Sequence, residues 1–305
     1  MCNKLVLNVF NKSCDKLHDF ISQYPYVEPF NVERIFDVSF SADKDLTFDL
    51  YRPINTDVLP VIIDIHGGGW YRGRKENNKA FAMELAKKGF AVFCPEYTLS
   101  PTADVRVQVK QIVSFVNWLE QNHQEYRCDL NRVFLCGDSA GGQLASTLLN
   151  CTLNKRVAEY FKVSTSLRPV GACFIGGVLY VDKMARLPLM SAFFKPILGK
   201  KYSRSRLLDY LNFPDNVSDD CPPILLVTSD EDFMKRDSVK AEKALSKKGI
   251  KCELFSWGKS KDKKRKLSHV FNIIYPNWEE SLVTNTKICA FFTSISAQVG
   301  RDNEN

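Results

Sequence analysis

RVFLCGDSAGGQLASTLL, residues 132–149, is the stretch from which the rest of the chain can be read. Its first part, Arg132 to Cys136, is a short apolar run of the kind found in a strand buried on both faces. From Ala140 onward the pattern becomes helical. Between the two, Gly137-Asp138-Ser139-Ala140-Gly141 satisfies G-x-S-x-G. The two glycines let a strand turn sharply into a helix, which presents Ser139 at the C-terminal edge of a sheet in a strained backbone conformation. The five-residue pattern alone also occurs as a plain Gly-Ser turn. The strand before it and the helix after it make Ser139 a candidate nucleophile.

A second glycine motif lies upstream. HGGGW, residues 66–70, directly follows VIIDI, 61–65, another buried-strand run. Glycines at a strand's C-terminal end let the backbone approach a ligand closely and turn its N–H groups inward, as an oxyanion hole requires. Gly67 and Gly68, joined by the amide of Ala140, are the expected donors, and each donor of this kind contributes about 3–4 kcal/mol to lowering a barrier.

Working outward, RIFDVSF (34–40) and LTFDLYR (46–52) alternate at period two around SADKD and predict an antiparallel hairpin. Further strand runs are FAVFCP (90–95), PVGACFIGG (169–177), PILLVTS (223–229) and KCELFSW (251–257). Helical patterns fall between them, at 75–89, from Asp104 to about Tyr126 with Asp104 as N-cap, at 140 to about 150, at 235–248 and at about 277–298. Strands alternating with helices imply a mostly parallel sheet covered on both faces. The expected fold is therefore α/β, with about eight strands in a single domain over 1–305. Residues 1–33 and about 180–221 break the rhythm and read as small cap insertions, with Tyr24, Tyr26, Phe30, Phe193 and Phe194 as a candidate aromatic roof.

With HGGGW followed by GDSAGG, the chain resembles the hormone-sensitive-lipase-like branch of the α/β-hydrolases over about Arg34 to Ala290, and Tyr97-Thr98-Leu99-Ser100-Pro101 resembles that family's Y-x-L-x-P segment. Thr102 stands where the family commonly carries an acidic residue. The resemblance implies an α/β-hydrolase fold and a serine esterase or lipase-like activity on short to medium acyl or aryl esters. An α/β-hydrolase places an acid and then a histidine after the serine. TSDEDFMKRDS (228–238) offers Asp230, Asp232 and Asp237; Asp232 best opens the family's D-x-L-x-x-D-like pattern, and Asp230 is the alternative. Of the four histidines, His18 precedes the core, His66 belongs to the glycine motif and His123 ends a helix. His269, in LSHVF, occupies the family's H-x-F position. The resemblance thus implies a Ser139, His269, Asp232 triad acting through an acyl-enzyme, with no metal or organic cofactor and a small-molecule ester as substrate. An amidase or arylformamidase on the same triad is the nearest alternative, and a non-catalytic binding protein on the same scaffold is a third reading.

Composition bounds the remaining classes. At 45% hydrophobic and 25% charged residues, the chain groups with soluble globular proteins and not with disordered or fibrous ones. Its longest uncharged apolar stretch, Val170 to Val181, is twelve residues, too short for a transmembrane segment. The N-terminus lacks a signal-peptide pattern, and the ten cysteines include no C-x-x-C pair, so a cytoplasmic setting is expected. Net charge is +7, of which KSKDKKRK (259–266) supplies +5 and the remainder only +2. Charge confined to one segment argues against a nucleic-acid-tracking groove. The segment reads first as a solvated loop leading into His269, and second as a device for steering anionic substrates; nucleic-acid or anionic-membrane binding through it is the rival reading. Oligomeric state is not encoded in any motif.

Overall fold

The computed structural model describes residues 26–304 except Asn55, so Tyr24, His18 and most of the expected N-terminal cap segment lie outside the described residues. Eight strands form one sheet: β1 (Val32–Ser39), β2 (Thr47–Pro53), β3 (Leu59–Ile65), β4 (Ala91–Pro95), β5 (Cys128–Asp138), β6 (Gly171–Ile175), β7 (Ile224–Ser229) and β8 (Cys252–Trp257), in the order β1-β2-β4-β3-β5-β6-β7-β8. β1 and β2 pair antiparallel, as the hairpin pattern predicts, and β2 runs antiparallel to β4. From β4 to β8 every neighbour is parallel. This is the α/β-hydrolase fold.

The continuous apolar runs are explained by burial on two sides. In β5, Val133 and Leu135 enter one core while Phe134 and Cys136 enter the other. Ala172 and Phe174 alternate in the same way with Cys173 and Ile175 in β6, as do Ile224 and Leu226 with Leu225 and Val227 in β7. The period of two is present, but both phases are apolar because both faces are covered. One core is closed by α1 (Lys79–Ala86) and α11 (Glu279–Glu304), whose Phe81, Met83, Ile288 and Phe292 are fully or almost fully buried. The other is closed by α2 (Val105–Asn122), α3 (Ser139–Leu153) and α9 (Lys235–Lys247). Asp104 caps α2 as its position suggests, its carboxylate accepting the Arg106 and Val107 amides. The helix expected from residue 75 starts as a 3-10 turn, Lys75–Asn78. Lys75 is drawn inward there, its ammonium held 2.8 Å from Asp37 and 2.9 Å from Asp49.

The 180–221 insertion carries four short helices, α5 (Val181–Ala185), α6 (Ser191–Leu198), α7 (Leu207–Leu211) and α8 (Phe213–Asn216), between β6 and β7. The four described members of the expected aromatic roof, Tyr26, Phe30, Phe193 and Phe194, do not form one. Phe193 and Phe194 are buried packing residues: Phe194 lies against Trp70 and Phe193 against Tyr71, whose hydroxyl also donates to the Phe193 carbonyl at 2.7 Å. They fasten the insertion to the glycine-rich loop. Tyr26 instead donates to Glu84 on α1 at 2.7 Å, and Phe30 is 93% exposed. No helix among the described residues is long and apolar enough to cross a membrane.

Candidate active site

The turn from β5 into α3 leaves Ser139 with φ of 50°, a left-handed conformation that non-glycine residues avoid and that marks strain held by the surrounding structure. Close packing forces it. A Cβ at Gly141 would fall 1.9 Å from the Ile65 carbonyl, so α3 can start against the end of β3 only if this residue is glycine. The Ser139 carbonyl accepts the Val178 amide at 3.0 Å, tying the elbow to the chain leaving β6.

The connections that follow β7 and β8 bring partners to Ser139. Asp232, just beyond β7, is 6% exposed, and its Oδ1 accepts the Met234 amide and His269 Nδ1–H, each at 2.8 Å. Its Oδ2 accepts from Thr228 Oγ1 at 3.3 Å. Because the carboxylate can only accept, Nδ1 carries the proton and Nε2 is left as an acceptor, which lies 2.9 Å from Ser139 Oγ. The three residues, separated by 130 positions from first to last, thus form one hydrogen-bonded chain. Asp230 is not part of it: it is exposed and paired with Lys235 at 2.6 Å. Asp237 is also elsewhere, in a site where burial raises its carboxyl to about 6. His123 bonds the Glu120 carbonyl at the end of α2. Gly176, with φ of 53°, underlies the His269–Asp232 pair so closely that a Cβ there would sit 2.8 Å from Asp232 Oδ2 and 2.9 Å from His269 Nδ1.

The glycine-rich loop corrects one expectation. Gly67 N–H donates to Asp138 Oδ1 at 2.9 Å, so it is committed to holding the loop and is not available to an incoming oxyanion. Among the described residues the amides of Gly68, Gly69 and Ala140 have no acceptor. Gly68 and Gly69 adopt φ of 119° and 63°, which reverses the backbone after Gly67. The support beneath is polar and buried. Asn78 Nδ2 donates to both Asp138 Oδ1 (2.9 Å) and Asp64 Oδ2 (3.0 Å). Burial raises both carboxyls, Asp64 to about 7, against the lowering effect of the Asn78 bond. His66 lies stacked on Tyr97, with ring centroids 4.3 Å apart, and Tyr97 donates to the His66 carbonyl at 2.9 Å. Both of its ring nitrogens face acceptors, the Gly67 carbonyl and Glu96, each at 2.8 Å, as an imidazolium requires. Burial alone would lower its pKa; the Glu96 carboxylate outweighs that and raises it, while His66 in turn offsets burial at Glu96 and lowers the Glu96 carboxyl.

Gly69 was within reach of the sequence as the third glycine of its motif, and Gly176 as the first of a Gly-Gly pair ending a strand. Asn78 and Glu96 carry no local signal. Among the described residues no group of three or more His, Cys, Asp or Glu side chains is placed to hold a metal ion.

The arrangement can be set beside known proteins. The family model described as BD-FAE matches residues 48–245. An isoprenylcysteine alpha-carbonyl methylesterase of Arabidopsis thaliana is 28% identical over 221 residues, 68% of this chain and 51% of that protein, so the chain spans about half that relative's length. A kynurenine formamidase of Salmo salar is 25% identical over 231 residues, 73% of this chain and 72% of that one. Esterase B from Lactobacillus rhamnosis superposes with a TM-score of 0.88 at 27% identity, covering 100% of this chain and 98% of its own. The BD-FAE match takes in both glycine motifs, the elbow and Asp232, and it extends over most of the 305 residues. The chain therefore belongs to the BD-FAE family of α/β-hydrolases.

Proposed function

We propose that the protein is a serine carboxylic-ester hydrolase acting on short to medium acyl or aryl esters. The observation that carries this reading is the hydrogen-bonded chain from Ser139 Oγ through His269 to buried Asp232, set at a strained strand-to-helix turn. Ser139 attacks the acyl carbonyl as His269 Nε2 takes its proton, and Asp232 holds the ring's orientation and stabilises the imidazolium. The Gly68, Gly69 and Ala140 amides receive the oxyanion. His269 then protonates the leaving alcohol, and water repeats the sequence on the acyl-enzyme. A single domain and a cytoplasmic setting belong to the same proposal; the eight described cysteines, all free, fit a reducing compartment.

Ser139→Ala should abolish hydrolysis of p-nitrophenyl butyrate and labelling by a fluorophosphonate probe, and wild-type turnover in that variant would overturn the assignment. The similarity to a kynurenine formamidase favours one second reading, cleavage of an aryl formamide through the same chain of residues. Turnover of matched aryl ester and N-formyl aryl amine substrates separates the two.

A further inference from the structure

The basic segment between β8 and His269 is a built loop. Asp262, its one acid, is used internally: it accepts the Lys264 amide at 2.9 Å and pairs with Arg265 at 3.3 Å, and the Arg265 amide returns to the Asp262 carbonyl at 2.9 Å. Arg265 also lies over the Trp278 ring at 5.3 Å. Glu231 closes the base of the loop, its Oε2 accepting the amides of Leu267 at 2.9 Å and Ser260 at 3.4 Å. Ser229 adds a hydrogen bond to the Leu267 carbonyl. What the loop then presents is Lys259, Lys261, Lys263, Lys264 and Lys266, all exposed and without a carboxylate partner among the described residues.

The clamp residue Glu231 is followed directly by Asp232 and Phe233. Phe233 is 75% exposed, and its ring lies on His269 with centroids 4.2 Å apart. An exposed aromatic ring and five ammonium groups without a carboxylate partner among the described residues therefore share the rim on which His269 faces Ser139. We infer that this rim docks on an anionic lipid surface, the lysines meeting headgroup phosphates or carboxylates and Phe233 entering the interfacial layer. This rests on the ester-hydrolase reading only for what docking accomplishes, delivery of the Ser139 mouth to ester bonds at the interface.

The distribution of charge selects this occupant. The loop carries +5 of the chain's +7, so the net positive charge is concentrated in one short segment, whereas a protein that tracks a nucleic-acid backbone spreads it over a face or groove. Of its six cations the one arginine is paired to Asp262, so the free charges are lysines, diffuse partners for a fluid headgroup layer and not bidentate readers of fixed phosphates. An exposed aromatic beside them adds the second signal that stable, reversible membrane association needs.

The test is co-sedimentation of the full-length protein with vesicles of phosphatidylcholine alone and of phosphatidylcholine mixed with phosphatidylserine. The wild type should sediment with the mixed vesicles, not with phosphatidylcholine alone, and rising salt should release it. Each lysine near an anionic surface contributes roughly fivefold, so replacing the five by serine should weaken binding at least about a hundredfold. Near-ultraviolet circular dichroism shows whether that variant is folded, and the salt titration of the wild type serves if it is not. Phe233→Ser should bind severalfold less tightly with its salt dependence intact. Ser139→Ala should dock like the wild type, so docking is decided whether or not the protein hydrolyses esters. Absence of sedimentation at low salt, equal binding to both vesicles, binding unchanged in the five-lysine variant, or displacement by duplex DNA at equal charge concentration would each overturn the inference.

Discussion

Gly176→Ala is the substitution that most directly tests how the site is held together. The residue lies outside both glycine motifs and touches no substrate in the proposed mechanism. A Cβ there would stand 2.8 Å from Asp232 Oδ2 and 2.9 Å from His269 Nδ1, where ordinary contact begins at 3.4 Å, so the pair must give way by about half an ångström. Misplacement by about 1 Å typically costs about a hundredfold in rate, and removal of the aspartate's function about ten thousandfold. A fall in kcat of about thirtyfold to a hundredfold is expected, equivalent to about 2–3 kcal/mol of transition-state stabilisation. The left-handed backbone, φ of 53°, adds a stability loss of about 1 kcal/mol on top of the contact strain. Gly249→Ala is the control: its φ is 76° but nothing lies within 4 Å of its Cβ, so it should lower the melting temperature by a few degrees with kcat unchanged. Steady-state hydrolysis of p-nitrophenyl butyrate and thermal melts read both variants. If Gly176→Ala stays within about threefold of wild-type kcat, or Gly249→Ala loses as much, the proposed coupling of this glycine to the His269–Asp232 contact is wrong.

Three further outcomes are expected. Asp232→Asn should lower kcat about ten thousandfold by replacing the acceptor-only carboxylate at Nδ1 with an amide that can donate to it and favours the wrong His269 tautomer, while Asp230→Asn, which loses only a surface pair with Lys235, should stay within about threefold; steady-state kinetics of both variants settles which acid acts. Glu96→Gln should flatten the pH profile of thermal stability. In the wild type the Glu96 carboxyl lies below its ordinary 4.5, so its contribution is complete above that pH and fades as pH falls through the lower folded value. His66 lies above its ordinary 6.5, so its contribution is complete below that pH and fades as pH rises through the higher folded value; an unchanged profile in Glu96→Gln would refute the ion pair. Asn78→Leu should destabilise the fold by about 2–3 kcal/mol in urea titration, because two buried carboxyls lose their shared donor, and a loss below about 1 kcal/mol would show that they find another.

By itself the sequence determined the class of the protein and the local geometry of its site. The β5–Ser139–α3 turn is written in contiguous residues, because a strand run, two glycines and a helical pattern constrain one another over fewer than twenty positions. The same holds for VIIDI-HGGGW, for the Asp104 cap and for the doubly apolar strands, all of which follow from short-range sterics and burial. Asp232 and His269 were legible through chain order and family resemblance, without any sequence-level measure of their distance from Ser139. Tertiary structure decided what depends on partners far along the chain. Gly67 fits an oxyanion donor by its motif, but Asp138, 71 residues away, holds its amide. The aromatic residues of the insertion were equally fit to roof a site or to pack, and burial against Trp70 and Tyr71 made Phe193 and Phe194 packing residues. KSKDKKRK reads as a solvated charge run until Glu231, from the loop that also supplies Asp232, is seen to clamp both its ends. A backbone amide has one proton to donate and a buried carboxylate a few lone pairs to fill. Which groups meet is set by packing between distant segments, and no local pattern carries that information.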